Sequence, residues 1–301
     1  MDATVPKLNI LAIYAHPADV ACEGAGTIAL HTERGDDVSC LVLSDGERHH
    51  NDIIHREYQK LPPERDSAVM NANVDDVKRF KRAETERICD ILGIGERFLF
   101  GWPDYYWECS HERIEQIAEV VRQVRPDVVL AHLPWGESQI QLSDIHALAG
   151  HLSRMAIRYC SDSLPQLDGH EPHHTKLVFY FPMMGMADTA FMAGTGIVCD
   201  IWIDITSVVA KKLHAIDQLV SQGYQGRCAR KIVEAREGRW GMLCGCSYAE
   251  PWIRDRAPRY AHLPVRHVDL VKQYVPNDVP GLDMVCPGIA TEIPEDGFRF
   301  P

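Results

Sequence analysis

The apolar positions of the chain fall into short runs separated by segments with helical periodicity. Residues 8–15 (LNILAIYA) form a nearly continuous apolar run that ends at a His-Pro pair. After a glycine-containing turn, GTIALHTERG has the three-to-four spacing of a helix. The alternation then recurs. VSCLVLSDG reads as a second strand, VKRFKRAETERICDILGI as an amphipathic helix closed by glycine, ERFLFGWPD as a third strand, HERIEQIAEVVRQVRP as a helix and DVVLAHLP as a fourth strand. A further helix is predicted over 144–160, strands around KLVFYFP and IWIDI, and a helix over SVVAKKLHAIDQLVSQG, followed by a segment rich in Arg and Gly. Strands alternating with helices predict an α/β fold: a mainly parallel, Rossmann-like sheet flanked by helices on both faces, joined by right-handed crossovers. One catalytic domain is expected over 1–275, with a Pro-containing tail over 276–301. Ligands of such sheets gather at the carboxyl ends of the strands, which directs attention to residues 16–19, 45–48, 102–105 and 132–135. The polar stretch 46–73 lacks sustained periodicity and reads as a long loop covering those strand ends.

Composition narrows the function classes. A sequence of 301 residues with 46% hydrophobic residues can bury a large core. Its net charge of −12 and lack of Lys/Arg runs exclude the basic footprint that nucleic acid requires. The longest apolar stretches are strand-sized, well short of the ~20 residues a membrane helix needs. The first fifteen residues lack a charged n-region and a small-residue cleavage site, so a cytoplasmic location is expected. Ten cysteines scattered along the sequence fit reduced thiols better than a disulfide framework, and the C-x-C pair Cys244 and Cys246 reads as ordinary thiols. The histidine-rich bits at 49–50 and 170–174 read as solvated loop. The tail is expected to pack on a neighbouring subunit of a homo-oligomer.

Chemistry enters with AHPADVACEGAG, where His16 and Asp19 lie three apart on the turn leaving the first strand. Imidazole plus carboxylate suits zinc or a similar divalent metal, and a third imidazole from elsewhere would leave an open coordination position. AHPADV resembles the A-H-P-D-D-E signature of the PIG-L/LmbE-like family, metal-dependent N-deacetylases acting on sugar conjugates. The resemblance implies an LmbE-like fold and zinc on His16 and Asp19. The motif's first Asp, the general base of the deacetylases, falls on Ala18, and its Glu falls on Val20. The family's second motif, H-x-D-H, resembles QLSDIHALAGHL near the middle of the sequence, which implies His146 as the third ligand, with Asp144 two residues before it; His151 is the other candidate in this helix, and its spacing of five from His146 favours a structural role for it. Within the family the sequence resembles the 4-oxalomesaconate hydratase branch, which has Ala at the base position. Shared elements are H-x-A-D with AGxIALH, GER after the second strand, a D-Y pair after the third, HxLAxHL, DITSV-x-x-KK and YAE.

This branch implies a zinc-dependent hydratase that takes a small anionic substrate, an unsaturated oxo-dicarboxylic acid from aromatic-acid breakdown. The alternative is a PIG-L-type N-deacetylase that recruits another base. A hydratase needs a metal to polarise an oxygen, a group to move a proton at carbon, and cations to hold carboxylates. His132 at the end of the fourth strand, Asp104 and Tyr105 after the third, and Asp144 are the candidates for proton transfer. Arg48 in SDGERHH, beside Glu47, is the candidate carboxylate clamp. Glu250 in CSYAEPW is expected behind the site, and Asp204 in DITSV as the cap of the following helix.

Overall fold

The computed structural model describes residues 6–48, 51–104, 107–134, 145–163, 167, 169–182 and 199–265. Its strands are β1 (Asn9–Tyr14), β2 (Asp37–Ser44), β3 (Arg97–Trp102), β4 (Val128–His132), β5 (Leu177–Phe181), β6 (Ile201–Asp204) and β7 (Ala249–Arg254), in the sheet order β3-β2-β1-β4-β5-β7-β6. Strands β1 to β5 are mutually parallel, with Ile13 opposite Leu41 on one side and Ala131 on the other. β7 runs antiparallel between β5 and β6. The fold is therefore α/β with a mostly parallel sheet, as the alternation predicts.

Because successive side chains of a strand point to opposite faces, β1 divides the core in two. Ile10, Ala12 and Tyr14 pack with α1 (Pro17–Cys22), α2 (Ala25–Arg34), α5 (Val74–Leu92) and α8 (Val209–Asp217). Leu11, Ile13 and Ala15 pack against α6 (His111–Val124) and α7 (Ile145–Tyr159). The backbone winds from β1 through β2 to β3 on one side and crosses to β4 on the other. The switch point between β1 and β4 is where open α/β sheets leave a crevice.

Three segments differ from the sequence reading. Residues 46–73, expected as a loop, contain α3 (Asp52–Gln59) and α4 (Ser67–Met70). Side-chain caps start both: Asn51 accepts from the Ile54 N–H, and Asp66 from the Ala68 N–H. The Arg/Gly segment forms α9 (Arg227–Val233), a π-helical turn (Glu234–Gly238) and α10 (Arg239–Cys244). β7 is an interior strand despite Pro251, a residue that ordinarily argues against one. His16 and Asp19 also belong to a helix: they are the N-cap and third residue of α1, with Pro17 at the first helical position. Residues 276–301 lie outside the described residues.

α7 approaches β4 very closely at Gly150. A Cβ there would sit 2.3 Å from the carbonyl oxygen of His132, so only glycine lets the helix reach this depth. The same helix begins at Ile145 and His146, which places a histidine over the carboxyl end of β4.

Candidate metal centre

Four strand ends converge on one cluster. His16 and Asp19 follow β1, Ser44 ends β2 with Asp45 to Arg48 after it, Asp104 follows β3, and His132 ends β4 with His146 beyond it on α7. The bend into α1 is fixed locally: the His16 backbone N–H donates to Asp19 Oδ2 at 2.8 Å, closing the first turn so that both side chains face the crevice.

His16 Nδ1 is 3.1 Å from His146 Nε2, His146 Nε2 is 3.6 Å from Asp19 Oδ1, and His16 Nδ1 is 3.8 Å from Asp19 Oδ2. One atom from each residue lies within 4.8 Å of the others. Metal–ligand bonds of about 2.0–2.2 Å in a tetrahedron put neighbouring donors roughly 3.4 Å apart, so these spacings approximate one face of such a polyhedron. The donor chemistry fits as well. His16 Nε2 is 2.8 Å from Asp104 Oδ1, so its N–H is directed at that carboxylate and the Nδ1 lone pair is left toward the cluster. A carboxylate behind a ligating imidazole fixes the tautomer in this way and raises its basicity. Two imidazole nitrogens and a carboxylate can hold zinc or a similar divalent cation with an open position.

Electrostatics prepare the same state. Burial opposes ionisation of Asp19, but the imidazoles of His146 and His132 outweigh it and hold this carboxyl well below the usual carboxylate range. His132 is fully buried, and desolvation pushes it down to about 4 despite the attraction of Asp19, so its ring is neutral near pH 7. Its Nε2 is 3.1 Å from both the Ala15 N–H nitrogen and Asp19 Oδ2, while its buried Nδ1 has no hydrogen-bond partner among the described residues.

The remaining sequence candidates occupy distinct places. Asp104 is fully buried, and its Oδ2 accepts the Arg48 backbone N–H at 3.0 Å. Glu47 is buried and its Oε1 accepts the Asp104 N–H at 3.3 Å. The Arg48 side chain is 62% exposed, with Nε 3.9 Å from Glu47 Oε1. Glu250 lies elsewhere: it binds the Gly26 and Thr27 N–H groups at the start of α2 and the buried Lys212 ammonium, a structural station under that helix. Asp204 Oδ1 accepts the Thr206 N–H, as expected of a cap. Tyr105, Asp144 and the pair 49–50 lie outside the described residues. His151 is exposed on α7.

The sequence reading missed Ser44, Trp107 and Lys81. Ser44 Oγ accepts the Gly46 N–H and lies 3.5 Å from Asp104 Oδ1. The Trp107 ring lies 6.4 Å from that of His16. Lys81 is buried; desolvation lowers its affinity for a proton, and the nearby charges of Glu84, Asp104 and Glu47 oppose that loss. Ser44 was discoverable as the residue directly before the strand-end DGER motif. Lys81 had no signal, because a lysine on a polar helix ordinarily faces water.

Comparison with known proteins agrees with this frame. Residues 11–154 match the family model PIG-L, GlcNAc-PI de-N-acetylase. The chain is 29% identical over 221 residues to a 4-oxalmesaconate hydratase of Pseudomonas putida, covering 72% of this chain and 75% of that protein. It is 28% identical over 142 residues to a 1D-myo-inositol 2-acetamido-2-deoxy-alpha-D-glucopyranoside deacetylase of Corynebacterium diphtheriae, covering 42% of this chain and 45% of that one. The crystal structure of a 4-carboxy-2-hydroxymuconate hydratase from Pseudomonas putida KT2440 superposes with a TM-score of 0.66 at 24% identity, over 84% of this chain and 98% of that one, a likeness of fold. The motif, the strand-end cluster and the sheet order agree with this match of residues 11–154, a little under half of the chain, to the PIG-L family model.

Proposed function

We propose that this protein is a zinc-dependent hydro-lyase that adds water across the double bond of an unsaturated oxo-dicarboxylic acid. The observation that carries the reading is Ala18. It stands between His16 and Asp19 where the deacetylase signature has its catalytic carboxylate, and a methyl group cannot take a proton from water. The similarity to the Pseudomonas putida 4-oxalmesaconate hydratase supports the choice of substrate class.

His16, Asp19 and His146 would hold the metal, which when bound supplies Lewis-acid polarisation of a substrate oxygen. Asp104 orients His16 and has its other oxygen on the Arg48 N–H, so we assign it a positioning role. His132 packs its buried, neutral ring against Asp19 and is likewise assigned to positioning. Proton delivery to carbon is then assigned to Tyr105 or Asp144. Arg48, the exposed guanidinium beside this cluster, is suited to hold a substrate carboxylate in two parallel hydrogen bonds.

The test is an activity assay of the zinc-loaded full-length protein on an oxalomesaconate-type acid, following loss of the conjugated chromophore. Turnover is expected, with Arg48→Ala raising KM. Release of acetate from N-acetylated sugar conjugates without any hydration would replace this reading with deacetylation, a reaction that the Corynebacterium relative makes the natural competitor. Metal content tests the ligand set separately: His16→Ala and Asp19→Ala should each lose bound zinc by elemental analysis. Full retention in both would remove the cluster from consideration.

A further inference from the structure

The end of the sheet opposite the His–Asp cluster carries a second concave feature. α7 leaves the cluster at His146 and runs down past β4, and at 1.5 Å per residue the twelve residues to Arg158 span about 18 Å. At that far end lies a cavity of ≈ 420 Å³. Arg154 and Arg158 reach it from α7, Lys176 from the start of β5, and Arg254 and Arg256 from the end of β7. Among the described residues Asp255 is the only carboxylate in the lining, and it is already engaged. Its Oδ1 accepts the Tyr180 O–H at 2.8 Å and lies 3.5 Å from Arg154 Nε, and its Oδ2 lies 3.7 Å from Arg256 Nε. Lys176 is paired with Asp127 at 2.6 Å. The guanidinium groups of Arg158 and Arg254 have no carboxylate partner among the described residues, Asp200 Oδ1 being taken by the Arg254 backbone N–H, and the Arg254 guanidinium lies 5.6 Å from the centre of the Phe179 ring. Thr175 adds a buried hydroxyl to the lining, with no hydrogen-bond partner among the described residues.

This charge pattern inverts that of the whole protein, whose net charge is −12. Cations gathered around one cavity repel one another, and an anion that enters relieves the repulsion while gaining bidentate guanidinium contacts. The volume sits at the small end of ligand pockets, which fits a metabolite-sized ligand rather than a polymer. We propose that this cavity binds a small multiply charged anion, a di- or tricarboxylate or a phosphate, at a place separate from the metal cluster. Arg158 and Arg254 are the primary contacts, and Thr175 supplies a neutral hydrogen bond.

The test is titration calorimetry on the full-length protein at low ionic strength with propane-1,2,3-tricarboxylate, inorganic phosphate and acetate as probes. Saturable one-to-one binding is expected for the tricarboxylate or the phosphate, and the two arms decide which anion chemistry the cavity prefers. Either Arg158→Glu or Arg254→Gln should weaken that binding by about tenfold or more, with the fold verified by circular dichroism, since tenfold corresponds to about 1.4 kcal/mol, the scale of one lost charge-assisted contact. Arg48→Ala, which alters the metal-side crevice, should leave it unchanged. Binding of equal strength in both cavity variants, loss of binding in Arg48→Ala, or no saturation by either anion up to ~10 mM would overturn the proposal.

Discussion

Lys212 is the cation at the centre of a buried charge cluster behind α1, and its replacement by methionine should be strongly destabilising. Its Nζ is 2.7 Å from Glu250 Oε1, 2.7 Å from Glu237 Oε1 and 3.1 Å from the Cys22 carbonyl oxygen, and the side chain is wholly buried. Burial alone would strip its proton, but Glu237 and Glu250 outweigh that and raise its affinity for a proton above the ordinary lysine value. Lys212→Met keeps the apolar stem and leaves both carboxylates behind. Glu250 retains the Gly26 N–H, the Thr27 N–H and the Thr27 hydroxyl. Glu237 keeps, among the described residues, the Arg236 guanidinium at 3.9 Å, so the uncompensated charge falls mainly on it. Removing one partner of a buried pair costs about 3–5 kcal/mol, a large part of a typical stability of about 5–15 kcal/mol. Urea unfolding followed by tryptophan fluorescence should therefore show a lower midpoint at an unchanged slope. The double substitution Lys212→Met with Glu237→Leu removes the orphaned charge and should recover at least half of the loss. A single-variant loss under about 1 kcal/mol, or no recovery in the double variant, would refute the assignment of the uncompensated charge to Glu237.

Further outcomes follow from the same geometry. Gly150→Ala should lower stability by about 1–3 kcal/mol and weaken zinc retention, because the added methyl must push α7, and His146 with it, away from the His132 carbonyl. Thermal unfolding and metal analysis read the two effects, and an unchanged melting temperature would show that the helix has room to spare. Burial opposes ionisation of Glu250, but Lys212 and the Thr27 hydrogen bonds prevail and hold its pKa below the ordinary glutamate value. Its contribution is therefore present above the unfolded value of about 4.3 and is lost as pH falls through the lower folded value. The stability gap between wild type and Glu250→Gln should thus be widest near neutrality and shrink below about pH 4; a gap independent of pH would contradict this.

Features written in local pattern were legible in the sequence, and features set by long-range packing were not. The parallel strands β1 to β4 were legible because each is a compact apolar run next to a periodic helix, and the rule that ligands gather at strand ends then pointed to the loops where His16, Asp19 and Asp104 come together. β7 was not legible, since Pro251 argues against a strand and its pairing with β5 and β6 is long-range. The capped helices of residues 46–73 escaped because polar side chains start them and little apolar surface holds them. Within the site, spacing brought His16 and Asp19 together, but the approach of His146 depends on Gly150, whose meaning appears only when β4 is beside it. Glu250 carried a short family motif, yet that motif serves the start of α2 and Lys212 rather than the metal cluster.

Ala18 is the residue on which the chemical reading turns, and its replacement tests that reading directly. It is the second residue of α1, flanked by Pro17 and Asp19, and it is nearly buried at 8% exposure. A carboxylate in the first turn of a helix is favoured by the exposed N–H groups there, so Ala18→Asp should be tolerated by α1 itself. Its charge would nonetheless stand next to Asp19, whose ionised state is sustained by His146 and His132. The zinc-loaded variant is therefore expected to keep its metal and lose hydration, because a general base placed beside the crevice changes which proton is taken and from where. Measured acetate release would show that the fold still accommodates the deacetylase reaction once the base is restored. Full hydratase turnover in Ala18→Asp would mean that the absent carboxylate does not separate the two chemistries, and the discriminating residue would have to be sought elsewhere around the cluster.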